Sequence, residues 1–344
     1  MPSYHDLTSM VRGNSPGHLP AIWDFFPCHV RAVGGVANFL DYYFDVDTKL
    51  DAQLKLQELI PEALILPGVF PDLGVVVEAS AFGGQILWFE DGAPFIGEVI
   101  HSPRDIDTLK PPKPGLAGLM PLQLTQRETM RKRLKEQGRE MEHWAMSMGP
   151  AEVAGLLMGY QNYYVAMYDD PKRVTCLMSL VTEFIIDWLR KQEEAIGGAE
   201  IICIADHVCN QVTPAQLREF ILPHMKAIFS SFPNAAKIYH NEGHHSEDHI
   251  DQVLAFGADL WHFGSDVHDL SDLYRKIEDR IVLFGGLNPL GAMRLGTPDQ
   301  VREESRLAID AARGRRILFS TGTGTTPETT LENLRAMVEA AVFN

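Results

Sequence analysis

The sequence predicts an α/β protein built as a single (β/α)₈ TIM barrel, with an inserted β-rich segment near residues 70–100. Three observations predict this fold. Short apolar runs recur along the 344 residues, most of them are separated by helical patterns, and there are eight of them. Strands that alternate with helices form a parallel sheet, and eight such units in a chain of this length are typical of a barrel. An open doubly wound sheet is the alternative.

Each predicted strand is a short apolar run that ends in polar or glycine-rich residues. The strands are expected at 21–26, 62–67, 144–148, 201–206, 236–240, 259–264, 281–285 and 316–320. Extra strands are expected within 75–77, 85–89 and 96–100, followed by a surface connection at the proline cluster 110–115 and a helix over about 120–140.

Helix starts are marked by a capping residue followed by proline, which fits the first turn of a helix. Such pairs predict helices at 171–197 and 297–313, and two more that begin at Thr213-Pro214 and Thr326-Pro327. We see no internal repeat and no second domain, so residues 1–344 are expected to form one barrel domain.

The composition excludes several functional classes. A net charge of -16 and a pI of about 5.2 argue against nucleic-acid binding and against anionic membrane surfaces. The four cysteines show no C-x-x-C spacing, which indicates a reducing compartment. With no signal-peptide pattern and no long apolar run, the sequence predicts a cytoplasmic protein.

The segment 237–243 carries the most specific chemical signal. A short apolar strand ends at His240, and Glu242 follows two residues later. Strand side chains alternate with a period of two, so both side chains point the same way. An imidazole beside a carboxylate is half of a site for zinc or another divalent metal. The alternative is a loop histidine with a solvated glutamate.

Polar residues follow the other predicted strands as well, where a barrel places its active site. Asp206 and His207 close the fourth strand, and Asn288 follows the seventh. The run Thr321-Gly322-Thr323-Gly324 follows the eighth, as an anion cradle or a tight turn. Asp206 could equally cap the next helix, and Asn288 could form a turn.

Two further motifs are weaker. His245 and His249 are spaced i, i+4 on a predicted helix, but no zincin-type glutamate base lies between them. The segment Asp266–Ser271 resembles the D-x-H-x-x-G loop that ligates cobalamin, except that Ser271 replaces the glycine. We therefore do not expect a dedicated corrinoid carrier.

Taken together, several phrases resemble the uroporphyrinogen decarboxylase superfamily, which also includes the cobalamin-dependent methyltransferases. The resemblance is strong over about residues 140–341 and weak before them. The matching phrases lie at 169–174, 204–206, 213–223, 285–289, 295–302 and 326–340. This resemblance implies a (β/α)₈ barrel.

The resemblance also has departures. The decarboxylases carry an R-Q-A-G-R-Y segment whose arginines hold the porphyrinogen carboxylates, whereas residues 26–35 lack the arginine pair. A strongly anionic tetrapyrrole would lack its clamp. Asp72 lies about where the decarboxylase aspartate falls.

The methyltransferase branch holds zinc on an H-x-C-G segment and on a cysteine after the eighth strand. Here His240 matches the histidine, while Glu242 and Thr323 replace the two cysteines. The resemblance implies a metal at His240 and Glu242. A third ligand is open among candidates at four positions: Glu78, Asp206, His207 and Cys209.

We therefore expect a zinc-dependent O-demethylase-type methyltransferase. It would move a methyl group from a small methoxylated compound, such as an aryl methyl ether, to the cob(I)amide of a separate corrinoid protein. Asp206 or His207 would orient or protonate the leaving oxygen. Four residues are expected to contact the substrate: Asp72, Glu78, Asn288 and Thr323. The alternatives are a methylcobamide:thiol methyltransferase, a metal-free binding protein and a decarboxylase of a small acid.

Overall fold

The protein folds as a TIM-barrel-type sheet of eight parallel strands surrounded by helices. The computed structural model describes residues 2–14, 17–24 and 36–342. The strands are numbered in chain order. Eight of them form the barrel sheet, and β3 and β4 form a separate hairpin. Their bounds are β1 (His18–Trp23), β2 (Leu64–Leu66), β3 (Ile86–Leu87), β4 (Phe95–Ile96), β5 (Trp144–Met148), β6 (Ile201–Ala205), β7 (Ala236–Asn241), β8 (Leu260–Phe263), β9 (Val282–Leu287) and β10 (Ile317–Thr321).

The eight-stranded sheet runs in the order β2-β1-β10-β9-β8-β7-β6-β5, and every neighbouring pair is parallel. Within the described residues no ladder joins β2 to β5, so these two strands are the edges of the curled sheet. Arg127, buried at this seam, donates to the main-chain oxygen of Trp144 on β5. The predicted parallel barrel is confirmed.

The strand predictions fall close to the observed strands, and the largest error is at the first one. It was expected at 21–26, but β1 begins three residues earlier, at His18. The predicted end at 25–26 lies outside the described residues, as does the whole 26–35 segment with its missing arginine pair.

Helices link the strands and cover the outside of the sheet. Their bounds are Tyr4–Val11, Phe39–Phe44, Val46–Leu59, Val77–Ala81, Met120–Glu136, Pro150–Met158, Tyr160–Asp169, Pro171–Ile196, Pro214–Gln216, Leu222–Ser230, Glu247–Val253, Leu270–Ile277, Ala292–Leu295, Pro298–Ala311 and Leu331–Val342. Short 3₁₀ turns lie at Pro103–Thr108 and His207–Asn210, and a π-turn lies at Leu217–Ile221. No described helix is long and apolar enough to cross a membrane.

The proline signals predicted three of four helix starts. Asp170, Thr213 and Thr297 each cap the helix that follows by accepting a main-chain N–H bond. The helix expected at Thr326-Pro327 begins only at Leu331. Thr329 N–H instead donates to the Thr326 main-chain oxygen, so these residues form a turn before the helix.

The inserted segment contains less β-structure than its sequence predicts. Residues 75–77 are not a strand, because Val77 begins the short helix Val77–Ala81. Only Ile86–Leu87 and Phe95–Ile96 pair, as an antiparallel hairpin. β-Branched residues favour a half-buried pleated surface, and the tight connection after β2 offers no strand partner. This connection carries Asp72 and Glu78 to one end of the barrel.

Large apolar side chains fill the barrel and exclude water from its lower part. The inward-facing cluster includes Trp23, Leu66, Trp144, Ile238 and Phe284, all nearly fully buried. Leu7 and Met10 of the first helix join this cluster and close the amino-terminal end. The open end is therefore the one formed by the carboxyl ends of the strands.

Candidate metal centre and active-site cavity

A cavity of about 360 Å³ opens at the carboxyl ends of the strands. Six of the eight residues predicted for the site line it: Asp72, Glu78, His207, His240, Glu242 and Thr323. Asp206 and Asn288 do not line it. The volume is near the lower end for small-molecule pockets.

His240 and Glu242 face the same side at the end of β7, as their spacing predicts. His240 Nε2 lies 3.4 Å from Glu242 Oε2, and His207 Nε2 lies 3.1 Å from the same oxygen. Neither approach has hydrogen-bond geometry, so Oε2 is a buried carboxylate oxygen without a donor. The ligand atoms of the three side chains lie within 4.8 Å of one another.

A buried partner determines which His240 nitrogen carries the proton. His262 Nε2 lies 3.1 Å from the Thr321 main-chain oxygen, which only accepts, so this nitrogen must be the donor. Burial lowers the pKa of His262 to about 4, so its Nδ1 is an acceptor at neutral pH. His240 Nδ1, 2.8 Å away, therefore donates to it.

This arrangement leaves a lone pair on His240 Nε2, directed at the Glu242 carboxylate. Burial holds the pKa of His240 well below its ordinary value, so this ring does not supply the missing proton. The Trp23 indole stacks on the His240 ring with centroids 4.8 Å apart, which restricts its rotation. A lone pair and a carboxylate in contact favour a cation between them.

His207 lies between two carboxylates. Its Nδ1 is 3.4 Å from Glu152 Oε2, and its Nε2 faces Glu242. Burial acts to lower the pKa of His207, but the neighbouring carboxylates of Glu152 and Glu242 outweigh it and raise the pKa to about 10. Tyr160 donates to the other Glu152 oxygen and fixes that carboxylate in turn.

These residues fit a divalent metal. Two imidazoles and one carboxylate form a common donor set for zinc. His240 and His207 each have their other ring nitrogen beside a fixed partner, His262 and Glu152, as is usual for metal-binding histidines. The orphaned Glu242 oxygen is the observation that decides the fit, because a bound cation would satisfy it.

Asp206 holds the backbone and does not face the cavity. Its fully buried carboxylate accepts the main-chain N–H groups of Ala151, Glu152 and Val208. It thereby fixes the start of the helix Pro150–Met158 against the turn that carries His207. Burial and the nearby Glu152 charge raise the pKa of Asp206 to about 7.

The remaining predicted residues have structural partners. Asn288 Oδ1 accepts from Leu290 N–H, which makes it a turn former. Thr323 lines the cavity, and its main-chain oxygen accepts from Thr321 Oγ.

The two histidines spaced i, i+4 already have other partners. The ring nitrogens of His249 contact the Ser246 hydroxyl and the Val212 main-chain oxygen. His245 is similarly committed to Tyr239 and Gly243. Neither ring nitrogen pair is available for metal.

Glu78 and Asp72 also line the cavity. Ser147 Oγ has one proton but lies 2.9 Å from both Glu78 Oε1 and the Met148 main-chain oxygen. The carbonyl can only accept, so a protonated Glu78 that donates to Ser147 satisfies both contacts. Burial raises the pKa of Glu78 to about 7, consistent with this direction. Burial likewise raises the pKa of Asp72 to about 6.

Sequence reasoning missed His262 and Glu152. His262 lies on a buried apolar strand at the same register as His240 on its neighbour. A histidine inside such a strand was the available signal. Glu152 was visible after the third predicted strand, but nothing local indicated that its carboxylate would face His207.

The chain is similar to known proteins over most of its length. A family model described as uroporphyrinogen decarboxylase (URO-D) matches residues 4–342. Uroporphyrinogen decarboxylase from Pseudomonas putida (strain GB-1) is 25% identical over 302 residues, covering 84% of this chain and 81% of the relative. The Chlorobium limicola enzyme of the same name is 27% identical over 328 residues, covering 88% and 89%.

One solved structure, described as a methyltransferase from Methanosarcina mazei, superposes with a TM-score of 0.83 at 20% identity. It covers 100% of this chain and 99% of that one. At this identity the similarity concerns the fold.

Proposed function

The chain belongs to the uroporphyrinogen decarboxylase family, and within it we propose a metal-dependent methyltransferase. It transfers a methyl group from a small methoxylated compound, such as an aryl methyl ether, to the cob(I)amide of a separate corrinoid protein. The observation that carries this proposal is the donor set of His207, His240 and Glu242 on the cavity wall. The full-length similarity to a methyltransferase structure supports it.

The metal ligands in this proposal are His240, Glu242 and His207, and zinc is the expected ion. When bound, a divalent ion supplies a Lewis acid that draws electron density from an ether oxygen. Nitrogen and oxygen ligands suit a harder acid than the sulfur-rich sites that activate thiolates. Cys203 and Cys209 are buried and do not line the cavity, which disfavours a thiol methyltransferase of the His/Cys/Cys kind.

The chain's own residues then bind the donor and supply a proton. Apolar side chains, Phe70 and Met148 among them, form much of the wall and exclude water from the methyl group. As the ether C–O bond breaks, its electron pair stays on oxygen and the methyl group passes to the acceptor. The oxygen takes up one proton. We assign this proton to Glu78, because Glu78 lines the cavity with a pKa that burial raises to about 7, whereas Asp206 does not line the cavity.

Decarboxylation of a porphyrinogen has less support from the cavity. A porphyrinogen carries several carboxylates, and no Lys or Arg occurs among the described residues that line the wall. The acidic side chains Asp72, Glu78 and Glu242 would repel such a substrate. The modest volume argues in the same direction.

Metal content of protein purified without chelator tests the proposal first. We expect about one zinc ion per chain, lost on His240→Ala, Glu242→Ala and His207→Ala. His101→Ala is the matched control, because His101 is exposed and lies outside the cluster. Circular dichroism of each variant separates loss of metal from loss of fold.

Methyl transfer is then assayed with methoxylated donors and reduced cobalamin as a stand-in acceptor. Formation of the demethylated hydroxyl product with the metal-loaded protein, but not with His240→Ala, is expected. Metal-free wild-type protein, or transfer that is equal in wild type and His240→Ala, would contradict the metal-dependent mechanism.

A further inference from the structure

The charge on the cavity wall points to a narrower class of donor. Four carboxyl groups line the cavity: Asp24 directly after β1, Asp72 and Glu78 from the connection after β2, and Glu242 from the end of β7. Among the lining residues that the structure describes, none is Lys or Arg. The wall therefore lacks the guanidinium and ammonium groups with which proteins bind a ligand carboxylate.

The buried Lys49 acts to lower the pKa of Asp72, against the larger effect of burial, but offers no donor to a ligand. Lys49 Nζ contacts three acceptors, which are the main-chain oxygens of Tyr43 and Asp72 and the Gln126 side-chain oxygen. An ammonium group has three N–H donors, so all of them are used. Lys49 also lies behind the wall and not on it. Its donors are therefore unavailable to a ligand.

His207 also offers no free donor to a ligand. Both ring nitrogens of His207 face carboxylates, Glu152 on one side and Glu242 on the other. A metal ion in this place would be shared with Glu242. In either arrangement the ring nitrogens of His207 are occupied and cannot hold a ligand carboxylate.

Asp72 and Glu78 are suited to a hydroxyl group. Asp72 Oδ1 accepts from Gly74 N–H at 2.8 Å, and its carboxylate retains further lone pairs for a second donor. Glu78 is held in place through Ser147. A ligand hydroxyl could donate to the carboxyl oxygens of Asp72 or Glu78, whereas a ligand carboxylate would meet like charge.

We propose that the methyl donor is an uncharged methoxy compound with a free hydroxyl group, and that Asp72 rejects methoxy compounds bearing a carboxylate. This inference rests on the proposed function for the methoxy group. The charge selection itself concerns binding and does not require methyl transfer.

Binding to the metal-loaded protein without an acceptor tests the proposal. Three probes differ mainly in one group: 2-methoxyphenol, 4-hydroxy-3-methoxybenzamide and 4-hydroxy-3-methoxybenzoate. The amide matches the carboxylate in shape but is uncharged. Calorimetry at pH 8 is expected to show binding of the phenol and the amide, and at least about 100-fold weaker binding of the carboxylate.

Asp72→Asn should reduce the difference in affinity between the amide and the carboxylate at least about tenfold. Asparagine keeps the acceptor for Gly74 N–H and removes the charge. Asp266→Asn is the control, since it changes the net charge equally at an exposed position outside the cavity. Denaturation midpoints establish that both variants are folded.

Equal affinity for the amide and the carboxylate in wild type would overturn the proposal, and so would failure of both neutral probes to bind. If Asp72→Asn leaves the difference in affinity between the amide and the carboxylate unchanged, the role of Asp72 is overturned. Charge-selective binding without any methyl transfer would instead contradict the proposed function and leave the selectivity intact.

Discussion

Replacing Glu78 with glutamine should remove the proton donor while keeping the wall intact. The side chain is 4% exposed, and its carboxyl group contacts Ser147 Oγ. A carboxamide N–H₂ can still donate to that hydroxyl, so the contact survives in Glu78→Gln. General acid catalysis contributes about 100- to 10,000-fold, and we expect a loss of kcat in that range.

The pH dependence provides a sharper measurement than the rate alone. The pKa of Glu78 is raised to about 7, and the protonated form is required. The rate of the wild type should therefore fall as the pH rises above about 7. In Glu78→Gln this alkaline limb should disappear. An alkaline limb that persists in the variant with the same midpoint would refute the assignment.

Stability gives an independent check. The carboxyl binds its proton more tightly in the folded protein, with a pKa of about 7, than at its ordinary value of 4.5. The wild type therefore loses stability as the pH rises through this window, by roughly 3 kcal/mol at about 1.36 kcal/mol for each pH unit. Glutamine does not titrate. The free energy of unfolding of Glu78→Gln should therefore rise by that amount relative to the wild type as the pH increases from 4.5 to 8.

Urea denaturation of both proteins at pH 5 and pH 8 measures this difference. Glu62→Gln provides the control, because it makes the same change at an exposed position. If the difference between Glu78→Gln and wild type is the same at both pH values, Glu78 does not retain its proton through burial and the reasoning fails.

Three further changes test the partners of the metal ligands. His262→Gln removes the ring that accepts from His240, and metal affinity should fall about 10- to 100-fold in a chelator competition; unchanged affinity would disprove the proposed tautomer. Glu152→Gln removes the anion beside His207 and should weaken metal binding similarly, whereas a structural effect alone would change only the denaturation midpoint. Asp206→Ala leaves three main-chain N–H groups without their acceptor, so the free energy of unfolding measured in urea should fall by about 3 kcal/mol. A decrease below about 1 kcal/mol would contradict the positioning role of Asp206.

The barrel and two of the three candidate metal ligands were predictable from local patterns. Apolar runs and proline-marked helix starts repeat along the chain, and alternation along a strand brings His240 and Glu242 to the same side. These features depend on residues near one another in sequence. For the same reason the prediction failed at residues 75–77, where no neighbouring strand was present to pair with the β-branched run.

Contacts between distant segments decided the rest of the site. His207, Asp206 and Glu78 were all candidates in the sequence, but their roles depend on which side chains face the cavity and which accept backbone N–H groups. The Asp206 carboxylate accepts a main-chain N–H bond from the first turn of a neighbouring helix. The Glu78 carboxyl group is buried in contact with Ser147 on β5. Residues 22 to 69 positions apart make these contacts, including the pair His240–His262. Local periodicity specifies the direction of a side chain along its own element, but burial and proton location depend on what the folded sheet places opposite it.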